Sequence, residues 1–250
     1  MTKKILYALP AVGNGHLARA REILPILQKY ADTDILVMGE AGHLELGSPI
    51  TYRKKGFTMH YTAKGGISMI KTIRGLGMRT FFQDVRSLPV QQYDMVISDF
   101  EPISARAAKE KKVPCVHMGH QASFMSAATP RPRHRNVLLE KILFSTFYVP
   151  ANQYIGFHFQ PYDTFIHTPV IRQEIRSQKP RDNGHITVYL MTYHHEMLVT
   201  HFKHFPQQSF HIFSRFTNSV QHFDNVTVYP IDNTRFIDSL STSHGLITGG

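Results

Sequence analysis

Residues 3–9 (KKILYAL) pass from two lysines into an unbroken apolar run, the pattern of a buried strand. A turn follows from Pro10 to Gly15. Leu17, Ala20, Ile23, Leu24, Leu27 and Ala31 then recur at helical spacing, with Pro25 placed to kink the helix. Asp34–Met38 reads as a second short strand, which completes a strand-turn-helix-strand unit. The alternation returns further on. Strands are expected over 93–98, 114–118 and near 153–158, and helices over 103–112 and 136–148. This order predicts an α/β fold with a parallel, doubly wound sheet.

Residues 169–184 are polar, carry two prolines and end in Asp182-Asn183-Gly184, the character of a linker. Beyond it, strands are expected over 186–191, 209–213, 225–230 and 244–248, with helices over 194–204 and 233–240. The expected organisation is an N-terminal Rossmann-like domain over 1–168, a linker over 169–184, and a partial second doubly wound domain over 185–250. The second domain is expected to be incomplete. Such a domain needs about 100 residues, and a strand followed by Gly249-Gly250 ordinarily introduces a helix.

Charge and cysteine content narrow the class. Against 18 acidic residues stand 28 Lys and Arg, a formal net charge of +10, which suits an anionic partner. The single cysteine, Cys115, excludes a disulfide framework within the chain and is compatible with a reducing cytoplasm. No stretch is long and apolar enough for a spanning helix or a signal-peptide core. The expected location is cytoplasmic, with peripheral contact to an anionic membrane allowed by the basic stretch 53–86. There, eight Lys and Arg face one acid, Asp84, among interleaved apolar residues. A core helix with a solvated basic face is the favoured reading of that stretch. The run Arg131–Arg135 is a second basic loop, for phosphate or for solvent. Aromatic residues do not cluster with the basic ones in a nucleic-acid-binding pattern.

Candidate chemistry collects where strands end. Gly13-Asn14-Gly15-His16 follows the first strand, and Gly15 precedes the expected helix N-terminus, where free N–H groups favour an anion or polar substrate. His16 is placed at the carboxyl edge of the sheet, where open α/β folds bind ligands. Ser98-Asp99-Phe100-Glu101 ends another strand on the same edge. Asp99 can hold one imidazole nitrogen and make the other a base, or it can cap the next helix. For Glu101 the cap is the better reading. Gly119-His120-Gln121 ends a third strand and offers a substrate loop or a satisfied loop histidine. Gly13-x-Gly15-x-x-Ala18 with Glu40 also meets the dinucleotide fingerprint, although His16 beside the second glycine would obstruct a pyrophosphate. His194, His195, His201 and His204 lack the accompanying ligands of a metal site, and no metal is expected.

The turn GNGHLARA (13–20) resembles the N-terminal glycine-histidine turn of GT-B glycosyltransferases of the family 1 and family 28 type. MVISDFEPISARAAK (95–109), GHQASF (119–124) and NVTVYPIDNTRFIDSLSTSHGLITGG (225–250) resemble a bacterial subgroup of the same superfamily. The resemblance spans nearly the whole chain. It implies an acceptor-binding N-terminal domain and a nucleotide-sugar-binding C-terminal domain, with a hexose moved to an acceptor hydroxyl with inversion. His16 would be the base and Asp99 its support. Asn14, Gly15, His120 and Gln121 would contact the acceptor. Thr192 and Tyr193, in a loop without the family's usual glycine-serine character, would face the diphosphate. Ile231 would approach the base, and Gly249 and Gly250 would open a phosphate-binding helix. The nucleotide-diphosphate sugar is a co-substrate, and no further cofactor is implied. The family's remaining donor contacts would fall after Gly250, so a chain lacking them would bind donor poorly or fail to turn over. The readings kept open beside this one are an NAD(P)-dependent oxidoreductase and a non-enzymatic basic module for anionic membrane or, less suited, nucleic acid.

Overall fold

β1 (Lys3–Pro10) buries every residue from Ile5 to Pro10. An unbroken apolar run is required of it because it lies mid-sheet with helices on both faces. A computed structural model describes residues 2–11, 14–39, 46–56, 77–131 and 137–249. These form two compact units, one of 2–56 with 77–172 and one of 173–249. The fold is α/β throughout.

In the first unit β1 pairs in parallel with β2 (Ala31–Met38) on one side and β4 (Met95–Ser98) on the other. β3 (Tyr52–Lys54), β5 (Cys115–Gly119), β6 (Gln153–Phe157) and β7 (Ile166–His167) extend the sheet in the order β3-β2-β1-β4-β5-β6-β7. All six pairings are parallel. α1 (Asn14–Leu27) covers one face, packing Leu17, Ala20 and Leu24 against Tyr7, Leu9, Ile35, Val37 and Ile97. α2 (Met78–Ser87) and α3 (Pro102–Glu110) cover the other, against Leu6, Ala8, Leu36 and Val96. Alternate residues of β1 thus serve opposite cores, as the period-2 pleat dictates.

Several boundaries differ from the sequence pattern. Ala31 continues the helical spacing but begins β2, pairing with Lys3, because Lys29 and Tyr30 close a turn at the end of α1. Gly15 lies inside the first turn of α1 rather than before it. The helix expected over 136–148 is α4 (Val137–Ile142) followed by a π-helical segment, Leu143–Tyr148. The short edge strands β3 and β7 were not anticipated. They are two or three residues long and hold too little pattern to detect. Of the basic stretch 53–86, residues 57–76 lie outside the described residues. Its last part is α2, which buries Phe81 and Val85 while Lys54 pairs with Asp84 at 2.8 Å.

The second unit begins with a one-turn helix, α5 (Gln173–Arg176), inside the stretch read as linker. Its sheet comprises β8 (His185–Tyr189), β9 (Ser209–Ser214), β10 (Gln221–Phe223), β11 (Val226–Pro230) and β12 (Gly245–Thr248), in the order β10-β11-β9-β8-β12. The sheet is mixed: β10 pairs antiparallel with β11, where the alternation had suggested a wholly parallel sheet. α6 (His195–Phe202) packs Leu198, Val199 and Phe202 on Val188, Phe210, Ile212, Val226 and Val228. α7 (Asn233–Thr242) covers part of the other face, where Ser239 bonds Thr187, His185 and His211.

β6 is also a floor for the 120–125 segment. A Cβ on Gly156 would fall 2.9 Å from Cα of Ser123 and 3.0 Å from its nitrogen, both backbone atoms with no freedom to rotate away. Gly156→Ala is expected to cost about 1–3 kcal/mol through overpacking, read as a lowered urea midpoint.

Candidate active site

The turn after β4 is built around a reversal of the chain. Phe100 adopts a left-handed conformation at φ +60°, uncommon for a bulky residue, and packs its ring on Tyr148 at 4.6 Å. Ser98 Oγ accepts from the Glu101 nitrogen at 2.9 Å. Glu101 is the N-cap of α3, accepting from the nitrogens of Ile103 and Ser104 at 2.7 Å each. Burial pushes its carboxyl up, against the downward pull of those bonds. With Glu101 as cap, the carboxylate two residues before it turns toward α1.

That carboxylate is Asp99, which is wholly buried. His16 Nδ1 lies 3.0 Å from its Oδ1. Arg19, one helical turn beyond His16, grips it side-on: Nε donates to Oδ2 at 2.9 Å and Nη2 to Oδ1 at 2.5 Å. Tyr7 of β1 donates weakly to Oδ2 at 3.4 Å. Arg19 is itself buried and lies over the Phe157 ring at 5.6 Å. Burial raises the Asp99 carboxyl, but the neighbouring His16 and Arg19 outweigh it and hold the group below its ordinary value. The Tyr7 hydroxyl is raised well above its ordinary range by burial and by Asp99. The His16 side chain keeps 16% of its surface exposed against none for Asp99. The acid is therefore sealed and the imidazole reaches solvent, with Nε2 the nitrogen not engaged by Asp99.

β5 closes the site from the side. Gly119 stands at φ +156°, and a Cβ there would approach Asp99 Oδ1 to 3.0 Å. Of the residues expected to meet an acceptor, Gln121 reaches this cluster. Its buried Oε1 has no partner among the described residues and lies 3.4 Å from where a Gly119 Cβ would be. His120 donates from Nδ1 to the Phe157 carbonyl at 3.1 Å and lies within electrostatic reach of Arg19, Asp99 and His16. Asn14 and Gly15 open α1 beside His16. A Cβ on Gly15 would meet nothing within 4 Å, so the position is not sterically reserved for glycine. Gly13 and Glu40, which the dinucleotide reading needs, lie outside the described residues. His117 of β5 is buried with neither ring nitrogen bonded among the described residues, and burial pushes it down to about 4. Of the basic run 131–135, residues 132–135 lie outside the described residues; Arg131 donates to the carbonyls of Ser126, Thr129 and Phe124 and clasps the loop after β5.

In the second unit Thr192 and Tyr193 form the turn after β8, closed by Tyr193 N donating to the Leu190 carbonyl at 3.0 Å. Gly249 follows β12 and lies beside Leu190, because β12 pairs with β8. Ile231 follows β11, separated from β8 by β9. Gly250 lies outside the described residues. His194 and His195 both lie near Glu196, at 3.8 and 3.6 Å, but differ in surroundings. His194 stacks on Phe216 at 3.8 Å, and His195 is buried against Ser214.

Arg19 and Tyr7 escaped the sequence reading. The available signal was spacing: Arg19 stands three residues after His16 and shares its side of α1, beside rather than on the apolar stripe of Leu17, Ala20 and Leu24. A cation on a buried face demands an anion.

Two successive α/β units with polar side chains following strand carboxyl ends fit the GT-B class of fold, which the solved structures of similar fold share. The chain belongs to glycosyl transferase family 1, whose model matches residues 3–250, and its class of chemistry is glycosyl transfer. Solved structures of similar fold include a UDP-N-acetylglucosamine 2-epimerase from Rickettsia bellii, at TM-score 0.57 and 9% identity, covering all of this chain and 75% of that one. UGT2 of Phytolacca americana, complexed with UDP-2-fluoro-glucose and pterostilbene, matches at TM-score 0.50 and 13% identity over 99% of this chain and 76% of its own. UGT89C1 of Arabidopsis thaliana, complexed with quercetin, gives 0.50 and 12% over 99% and 74%. At these identities the likeness is one of fold, common to transferases and an epimerase. No curated protein matches the sequence.

The buried ion pair makes a stability prediction. Asp99→Asn leaves the Arg19 cation buried without its counter-charge and is expected to cost about 3–5 kcal/mol, measured by urea denaturation. The sign with pH follows from the lowered carboxyl: the contribution is present in full above the ordinary value of about 3.9 and is lost as pH falls through the folded value. The gap between wild type and D99N should therefore be full at pH 7 and close in acid.

Proposed function

We propose that the chain transfers a hexose from a nucleotide-diphosphate sugar to an acceptor hydroxyl, with inversion at the anomeric carbon. The observation that carries this reading is the contact of His16 Nδ1 with the sealed Asp99 carboxylate while the imidazole stays partly exposed at the carboxyl edge of β1. A hydrogen bond from Nδ1–H to Asp99 leaves the Nε2 lone pair as the proton acceptor.

In the proposed step His16 Nε2 takes the acceptor hydroxyl proton as that oxygen bonds to the anomeric carbon. The bond from that carbon to the diphosphate oxygen breaks, and the nucleotide diphosphate leaves with the electron pair. Direct displacement inverts the centre. Asp99 stabilises the imidazolium without taking the proton. Asn14, Gly15, His120 and Gln121 are proposed for the acceptor. Thr192, Tyr193, Ile231, Gly249 and Gly250 are proposed for the donor; those described follow strand carboxyl ends, where α/β sheets bind ligands. No metal or other cofactor is assigned a step.

Among the described residues no helix is long and apolar enough to cross a membrane. Peripheral contact of the basic surface with anionic lipid stays a proposal. Calorimetric titration with UDP, UDP-hexoses and NAD tests the donor class: binding of UDP ligands with no heat from NAD is expected, and the reverse would overturn the reading. His16→Ala should lower transfer from a UDP-hexose to a panel of sugar and phenolic acceptors by about 100-fold with donor binding unchanged. A variant as active as wild type would exclude His16 as the base.

A further inference from the structure

Asp99 faces two basic groups at once, and the proposed base is one of them. Oδ1 of Asp99 is 3.0 Å from His16 Nδ1 and also receives Arg19 Nη2. That same Nη2 lies 3.1 Å from His16 Nδ1. Nδ1 therefore sits between an acceptor and a donor and can satisfy one of them at a time. Protonated, it donates to Asp99; bare, it accepts from Arg19, with the ring proton moved to Nε2, where it would block the base. The balance depends on how much of the Asp99 charge Arg19 has already taken.

We infer that Arg19 is a positioning residue whose fork neutralises and orients Asp99, so that His16 binds the carboxylate as a neutral imidazole and not as a locked imidazolium. The inference rests on the reading of His16 as the base. A carboxylate with no fixed cation, sealed from water, would draw a proton onto its nearest basic neighbour. That neighbour is His16, and an imidazolium cannot accept the acceptor's proton. Arg is suited to the task because it stays charged and fits a carboxylate with two parallel bonds, which also fixes the carboxylate's rotation. Its own orientation is fixed by burial and by the Phe157 ring beneath it.

The other titratable groups around His16 do not substitute for this cation. Tyr7, from β1, is neutral and donates to Asp99 Oδ2. His117, from β5, is buried and pushed down to about 4. His120, in the loop after β5, is lowered by burial and by Arg19, and bonds Phe157. Among the described residues Arg19 is the permanent charge in contact with Asp99.

The test reads the imidazole directly and needs no substrate. Nitrogen-labelled histidine spectra of the full chain, with His16→Gln to assign the signal, follow the His16 ring through pH. In Arg19→Gln, which keeps a donor but loses the charge, the His16 midpoint should rise by about one pH unit or more. In Asp99→Asn, where the cation stands alone, it should fall. In the double variant R19Q/D99N, which buries no net charge and so folds most readily, it should return to within about half a unit of wild type. With a UDP-hexose as donor, the acid limb of the rate profile in R19Q should move up by the same amount, and Arg19→Lys should restore it in part. An R19Q midpoint equal to or below that of wild type, or a double variant displaced as far as R19Q, would overturn the inference. These ring titrations stand apart from the transfer assay. Should His16→Ala remain active, the proposed function fails whatever the titrations show. Should the titrations fail while His16→Ala is inactive, only the role of Arg19 falls.

Discussion

A carboxylate with no access to water must be neutralised by the protein itself, and in this chain much of the first unit's site answers to that demand. Asp99 is sealed by β1, β4, β5 and α1. An uncompensated charge in such a place would cost several kcal/mol or protonate. Arg19 supplies the counter-charge, Tyr7 a further hydrogen bond, and Gly119 the absence of a side chain where one would collide. His16 completes the cluster and is its most exposed member. The same arrangement that makes Asp99 tolerable holds the imidazole at the sheet edge.

The elements around the site divide the labour. Glu101, next but one to Asp99, is spent on the helix cap. The left-handed Phe100 between them separates the two acids, Asp99 turning toward α1 and Glu101 to the N-terminus of α3. Downstream, Arg131 ties three carbonyls of the loop after β5, and Gly156 lets that loop lie on β6. The fold thereby brings Gln121 and His120 to the edge of the Asp99 cluster, His120 being held by the Phe157 carbonyl. In the second unit the parallel pairing of β12 with β8 brings Gly249 beside the turn that carries Thr192 and Tyr193.

Much of this is legible in the amino-acid sequence. Strong periodic segments such as β1, α1 and α3 declared their type because a buried strand must be continuously apolar and a helix must place its apolar residues every third or fourth position. Where pattern weakened, reading failed. Ala31 fitted the helical period but belongs to β2. The two-residue β7 and the antiparallel β10 were too short to announce themselves. At the site, His16 and Asp99 could be named because each follows a strand and strand ends in a parallel sheet share one edge. Arg19 carried only the spacing of one helical turn from His16, and nothing in its neighbourhood along the chain pointed to Asp99, eighty positions away.

By itself, then, the order of residues determined the class of fold, the edge of the sheet that carries the chemistry, and two of the side chains found there, since periodicity and turn composition are local properties. Tertiary structure alone decided which groups share the buried charge, which nitrogen of His16 is engaged, and which loop residues come to the site. Those depend on distances between segments far apart in sequence, and on burial, which no single residue carries in its own name.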